Sequence, residues 1–75
     1  MIRRANGRER LSKPLTGREI QVLKLIVLGQ SNTEIAEELS ISIHTAKKHV
    51  SSILEKMSVD DRVQVAVKAV REGLL

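Results

Sequence analysis

Between Thr16 and Asp60 the chain carries four separate signals for starting a helix, and these constrain its fold more than any other feature. Thr16-Gly17-Arg18-Glu19 and Ser31-Asn32-Thr33-Glu34 each fit a capping box, a Ser or Thr followed three residues later by Glu. Ser42 precedes a third run of periodic apolar residues, and Asp60 precedes a fourth. Gly29 and Gly73 supply stops. Between starts and stops, apolar residues recur three or four apart: Val22, Leu23 and Ile26, then Ile35, Ala36 and Leu39. Ile43, Ala46, Val50, Ile53, Leu54 and Met57 follow, then Val63, Ala66, Val67 and Val70. The spacing predicts helices at about 17–28, 32–39, 43–57 and 60–72, and no segment alternates as a strand does. The expected fold is all-α, a compact four-helix domain over residues 14–75.

Composition narrows what can hold such a chain together. Its 75 residues contain no Cys, Phe, Trp or Tyr, so neither disulfides nor thiolate metal sites contribute, and the core must be aliphatic. A chain this short buries only about 60% of its unfolded surface, so capping and tight connections carry unusual weight. The second and third helices are separated by about three residues. That is the connection of a helix-turn-helix, whose sharp corner sets two helices at roughly 90–120°. Many such corners carry glycine; here the position is Ser40.

The net charge of +4 invites a nucleic-acid partner, but its location qualifies the idea. Arg3, Arg4, Arg8, Arg10 and Lys13 face Glu9 alone, so residues 1–13 hold the entire excess. Residues 14–75 carry eight basic and eight acidic side chains and are neutral. The first segment reads as a basic flexible arm or linker: an arm that tracks phosphates or reaches a minor groove, or a connection between domains. In the neutral remainder, a DNA argument rests on how charge is segregated.

The third helix segregates it. With the apolar stripe turned inward, His44, Thr45, Lys47, Lys48, Ser51, Ser52 and Glu55 are left outside. Positions 44, 48, 51 and 55 form one stripe, flanked by 45, 49, 52 and 56. This basic, hydroxyl-rich face suits a major groove about 12 Å wide. The second helix carries Glu34, Glu37 and Glu38, which would turn away from phosphate, while its N-terminus at Ser31, Asn32 and Thr33 offers free N–H groups to one. The plain alternative is a solvated helix face.

These residues resemble the LuxR-type (GerE-like) helix-turn-helix family over roughly residues 14–74. The resemblance lies in three ordered blocks. The first is Leu15-Thr16-x-Arg18-Glu19-x-x-Val22-Leu23, running to Gly29. The second is Ser31-Asn32-x-Glu34-Ile35-Ala36-x-x-Leu39. The third is Ser42-x-x-Thr45-Ala46-Lys47-x-His49-Val50-x-x-Ile53-Leu54-x-Lys56-Met57, followed by Val59 and Arg62. Ala46 and Met57 stand where the family usually has Val and Leu, and both keep an apolar contact. The resemblance implies sequence-specific transcription regulation by a dimer on double-stranded DNA, with the third helix in the major groove. By position it implies base contacts from Lys48, Ser51 and Lys47, and phosphate contacts from Thr45, Ser52, Lys56, His49 and the Ser31–Thr33 corner. It also implies a dimer contact through the fourth helix, where Val65 and Ala69 lie off the Val63–Val67–Val70 face and are expected to be exposed. Such domains occur as stand-alone regulators and as effector domains of response regulators.

Other residues carry weaker signals. His44 and His49 are five apart and do not share a face as metal ligands would. Glu19 and Arg62, both in the matching motif, are expected to form an internal ion pair or to remain separate surface charges. No nucleophile–base set or Gly-rich phosphate loop is present, so neither an enzyme nor a cofactor is expected. No secretory or membrane-spanning segment is read, which makes the cytoplasm the expected location. The competing reading is a helical interaction module that docks on RNA polymerase or another regulator without reading bases.

Overall fold

A computed structural model describes residues 14–74, so the expected basic arm at 1–13 lies outside the described residues. Four helices follow in order: α1 (Gly17–Val27), α2 (Asn32–Leu39), α3 (Ile43–Lys56) and α4 (Arg62–Arg71). The described residues form no strand.

The N-termini follow the sequence closely. Both capping boxes are closed. Thr16 Oγ1 accepts from the Glu19 N–H at 3.1 Å and Glu19 Oε1 accepts from the Thr16 N–H at 2.9 Å. Ser31 and Glu34 repeat the exchange at 3.1 and 2.8 Å. Ser42 Oγ accepts from the Thr45 N–H at 3.0 Å. The fourth start needs correction. Asp61, not Asp60, caps α4, accepting from the Gln64 N–H at 2.9 Å. Asp61 has the extended backbone of a cap, so the helix begins one residue later than an Asp60 cap allows.

All four helices end in the same way. A residue with positive φ follows each one: Gly29, Ser40, Ser58 and Gly73. Its N–H and the next N–H bond back to carbonyls near the helix end, as in Ser40 to Glu37 at 3.3 Å and Ile41 to Ala36 at 2.9 Å. This is the Schellman arrangement, and it satisfies carbonyls that the helix leaves open. It also brings in Ile41, Val59 and Leu74, which pack against the core just past three of these turns. Ser40 and Ser58 both sit at φ 57°, where a Cβ is unfavourable. Both are exposed. Replacing either with glycine removes that strain, so Ser40→Gly and Ser58→Gly are each expected to stabilise the fold by roughly 0.5–1 kcal/mol. Thermal unfolding followed by far-UV circular dichroism reads this as a rise of several degrees.

The core joins all four helices. Val22, Leu23 and Ile26 of α1 meet Ile35 and Ala36 of α2, then Ala46, Val50 and Ile53 of α3 with Met57 just beyond it. α1 packs on both α3 and α4, and α2 packs on α3. From α4 the core takes Val65 and Ala69, each 0% exposed. Val63, Val67 and Val70 point outward, at 70%, 47% and 63% exposure. The two faces of α4 are therefore the reverse of the sequence expectation, and Val65 and Ala69 are too deeply buried to form a dimer surface. Two ties set the rotation of α4. Arg62 in its first turn donates to Asn32 Oδ1 at 2.7 Å and to the Gln30 carbonyl at 2.6 Å. Lys68 donates to the Met57 carbonyl at 2.7 Å, which places a cation at the negative end of α3.

Candidate nucleic-acid interface

The outward face of α3 is set by what holds its inner face. One carboxylate does much of this. Glu19, 5% exposed, is the one charged residue buried among the described residues. Its Oε1 accepts from the Lys56 ammonium at 2.8 Å as well as from the Thr16 N–H, and its Oε2 accepts from the Ser52 hydroxyl at 2.6 Å. Lys56 also donates to the Pro14 carbonyl at 3.3 Å. The carboxylate that closes the α1 capping box thus also anchors the last two turns of α3 to α1. Burial pushes the Glu19 carboxyl up. Donation from Lys56, Ser52 and Thr16, with the Lys56 charge, outweighs burial and lowers its pKa from 4.5 to about 2.

The expected pair of Glu19 with Arg62 therefore does not form. Glu19 takes Lys56, and Arg62 clamps the α1–α2 turn instead. The signal that would have found this was present: Ser52 and Lys56 are four apart on α3, so a hydroxyl and an ammonium share one face.

The two stripes of α3 differ in depth. His44, Lys47, Lys48, Ser51 and Glu55 are exposed, while Thr45, His49, Ser52 and Lys56 are half-buried. The side chains of Lys47, Lys48 and Ser51 make no hydrogen bond or ion pair among the described residues, so their donors are open to a partner. With His44, Ser52 and Glu55 they line a shallow depression along the helix.

Ser52 and Lys56 differ from what the sequence suggests. A phosphate oxygen only accepts hydrogen bonds, and the single Ser52 proton is directed at Glu19. Lys56 is neutralised by the same carboxylate. Both therefore brace α3 on Glu19; Ser52 has no second proton to give a phosphate, while Lys56 keeps one of its three donors beyond Glu19 and Pro14. Thr45 Oγ1 accepts from Ser42 Oγ at 2.9 Å and keeps its own proton. At the start of α2, Ser31 is engaged by Glu34, and Asn32 Oδ1 by Arg62. The first-turn N–H groups of Asn32 and Thr33 have no partner within the helix. Glu34, Glu37 and Glu38 of α2 are exposed.

A fold so arranged can be compared with known proteins. The family model of bacterial regulatory proteins of the luxR family matches residues 13–69, more than half of the chain. The chain belongs to this family. Among its relatives, the transcriptional regulatory protein LiaR of Bacillus subtilis (strain 168) is 51% identical over 61 residues, covering 81% of this chain and 29% of that protein. The response regulator protein VraR of Staphylococcus aureus (strain COL) is 44% identical over 75 residues, covering 100% of this chain and 36% of its own length. The chain thus spans about a third of the curated relatives it matches. Solved structures share its fold. The transcription factor GerE superposes with a TM-score of 0.72 at 34% identity, covering 81% of this chain and 92% of GerE. The response regulator ChrA of a heme-sensing two-component system superposes with a TM-score of 0.78 at 38% identity, covering 88% of this chain and 34% of ChrA. This luxR-family chain has the GerE-like helix-turn-helix fold, and the family's business is DNA-binding transcription regulation.

Proposed function

We propose that this luxR-family chain regulates transcription by lying with α3 in the major groove of double-stranded DNA. Lys48 and Ser51 read base edges there, and Lys47 reads or steadies the backbone. Residues 14–75 are the DNA-binding unit. The observation that carries the reading is the open face of α3: Lys47, Lys48 and Ser51 are exposed side by side, without partners among the described residues. A helix of this kind fits a groove about 12 Å wide, and Lys and Ser supply donors that match base and phosphate oxygens. Thr45, His49 and the first turn of α2 at Ser31, Asn32 and Thr33 contact phosphates on either side, since positioning contacts outnumber base contacts in such interfaces. The protein acts as a binding protein rather than an enzyme, with the cytoplasm as its place of action. No helix among the described residues is long and apolar enough to cross a membrane. It binds as a dimer, and the exposed valines of α4, Val63, Val67 and Val70, form the contact between copies.

The test uses a labelled duplex chosen by selection from random DNA, because the chain has no aromatic fluorophore. Lys48→Ala is expected to weaken binding about 10- to 100-fold and to relax preference at one base position. Lys47→Ala weakens binding to all duplexes alike. Both variants keep the helical circular dichroism of the parent, because neither side chain reaches the core. Parent-like binding of both at physiological salt rules the groove assignment out.

A further inference from the structure

We infer that Glu55 is a specificity-determining residue of the α3 face, its carboxylate accepting a hydrogen bond from the amino group of a cytosine in the major groove. This rests on the placement of α3 proposed above and adds a residue of opposite charge to that face. Two independent observations point to it.

The first is geometric. Successive residues of a helix turn by about 100°, which sets Glu55 within about 40° of both Lys48 and Ser51 around the α3 axis. It therefore stands near the middle of the open face, not at its edge. It is exposed, and it lines the same shallow depression as His44, Lys47, Lys48, Ser51 and Ser52. Along the axis it lies about 6 Å beyond Ser51 and about 10 Å beyond Lys48. The backbone is fixed there: Lys56, the next residue, is tied to Glu19, and the Ser58 N–H donates to the Glu55 carbonyl at 3.1 Å.

The second is energetic. The last turn of a helix carries partial negative charge, which favours a cation and disfavours an acid. Glu55 is an acid in the last turn of α3, and its carboxylate makes no hydrogen bond or ion pair among the described residues. Lys56 is engaged by Glu19, and Lys68 donates to the Met57 carbonyl. The fold thus carries a charge that it disfavours and does not use. Phosphates repel that charge as well. What remains is a donor on a base edge. Cytosine presents its N4 amino group in the major groove, whereas adenine sets an N7 acceptor beside its N6 amino group, and guanine and thymine present oxygens. A carboxylate bonds the first and is repelled by the oxygens. Glu55 is then a contact on a matching duplex and a penalty on any other, which is specificity by attraction and exclusion together.

The test takes the duplex selected from random DNA and replaces each base pair in turn. Dissociation constants are measured for the parent, for Glu55→Ala and for Lys48→Ala. The parent should prefer cytosine to thymine about 10-fold at one position, because that change swaps an amino donor for an oxygen acceptor. Glu55→Ala should bring this preference to within about two-fold, and should leave intact the preference that Lys48→Ala relaxes. It should also bind an unrelated duplex about 2- to 5-fold more tightly, since a repulsion is gone. Its thermal transition should be no lower than that of the parent, because alanine favours the helix and removes an acid from its negative end.

A change by one common factor on every duplex overturns the inference, since it would mean that Glu55 acts through general charge alone. Parent-like preferences at every position overturn it too, as does a lost preference for a base other than cytosine. Lys48→Ala separates this inference from the placement of α3. If it relaxes one position while Glu55→Ala relaxes none, α3 reads DNA without Glu55. If neither variant alters any preference, both proposals fail.

Discussion

Val65→Asp should abolish the cooperative thermal transition of this chain, while Val63→Asp, two residues earlier on the same helix, should leave it standing. Val65 is wholly enclosed and is among the largest fully buried side chains, together with Leu23, Ile35, Ile53 and Met57. No cation faces it from the core, which is apolar apart from Glu19. A carboxylate there must stay charged without a partner or take up a proton, and either costs several kcal/mol. A small domain holds only about 5–10 kcal/mol in total, and at the low end of that range the change is enough to unfold it. Val63 is largely exposed, so a carboxylate there meets water. Val63→Asp should keep the helical circular dichroism and melt within a few degrees of the parent. Sedimentation of this folded variant then reads the proposed α4 contact: a monomer supports it, and a parent-like dimer removes it. If Val63→Asp unfolds and Val65→Asp does not, the rotation assigned to α4 is wrong.

Glu19→Gln should lower stability at neutral pH by about 3 kcal/mol, and the deficit should vanish in acid. The carboxyl titrates at about 2 in the folded chain against 4.5 ordinarily. A depressed folded pKa means that folding favours the ionised form. The stabilisation is fully present above about pH 4.5 and is lost as pH falls through the folded value near 2. A shift of this size corresponds to about 3 kcal/mol. Solvent screening discounts it little, because the Glu19 side chain is 6% exposed and that of Lys56 is 15%. Glutamine keeps the shape and can still accept from Thr16, but its amide nitrogen takes the place of the oxygen that accepts from Ser52, so that hydroxyl must turn to accept instead. Urea midpoints of parent and variant should differ widely at pH 7, draw together below about pH 4.5 and converge only below about pH 2. Other carboxylates titrate in both proteins, and the difference between the two isolates Glu19. A constant difference across that range would place the contribution of Glu19 in its shape and caps rather than in its charge.

These two predictions also mark where the sequence stops being informative. The starts of α1, α2 and α3 were legible because a capping box and an N-cap serine are local. Thr16 and Glu19, or Ser31 and Glu34, satisfy each other within one turn, whatever the rest of the chain does. The face of α3 was legible because its pattern is lopsided: aliphatic residues fall on one side, lysines and hydroxyls on the other. The position of Lys47, Lys48 and Ser51 on the solvent side followed from spacing alone.

On α4 the same rule had no purchase. Val63, Val67 and Val70 make one apolar stripe, Val65 and Ala69 make another, and a period of 3.6 residues accepts either as the inner face. The larger stripe was the natural choice and was the wrong one. The rotation is set by Arg62 on the Gln30 carbonyl and Lys68 on the Met57 carbonyl, contacts across 32 and 11 residues of chain. The partner of Glu19 was hidden for the same reason, since it lies 37 residues away and any of several cations would have served.

The sequence by itself thus determined four helices, the caps of the first three, a tight corner between the second and third, and one basic face on the third. Each of these depends on groups within a few residues of one another. Only the tertiary structure decided which valines of α4 enter the core, and which hydroxyl and ammonium of α3 are braced on Glu19. Those choices turn on which distant groups come within hydrogen-bonding reach once the helices pack, and periodicity carries no record of that.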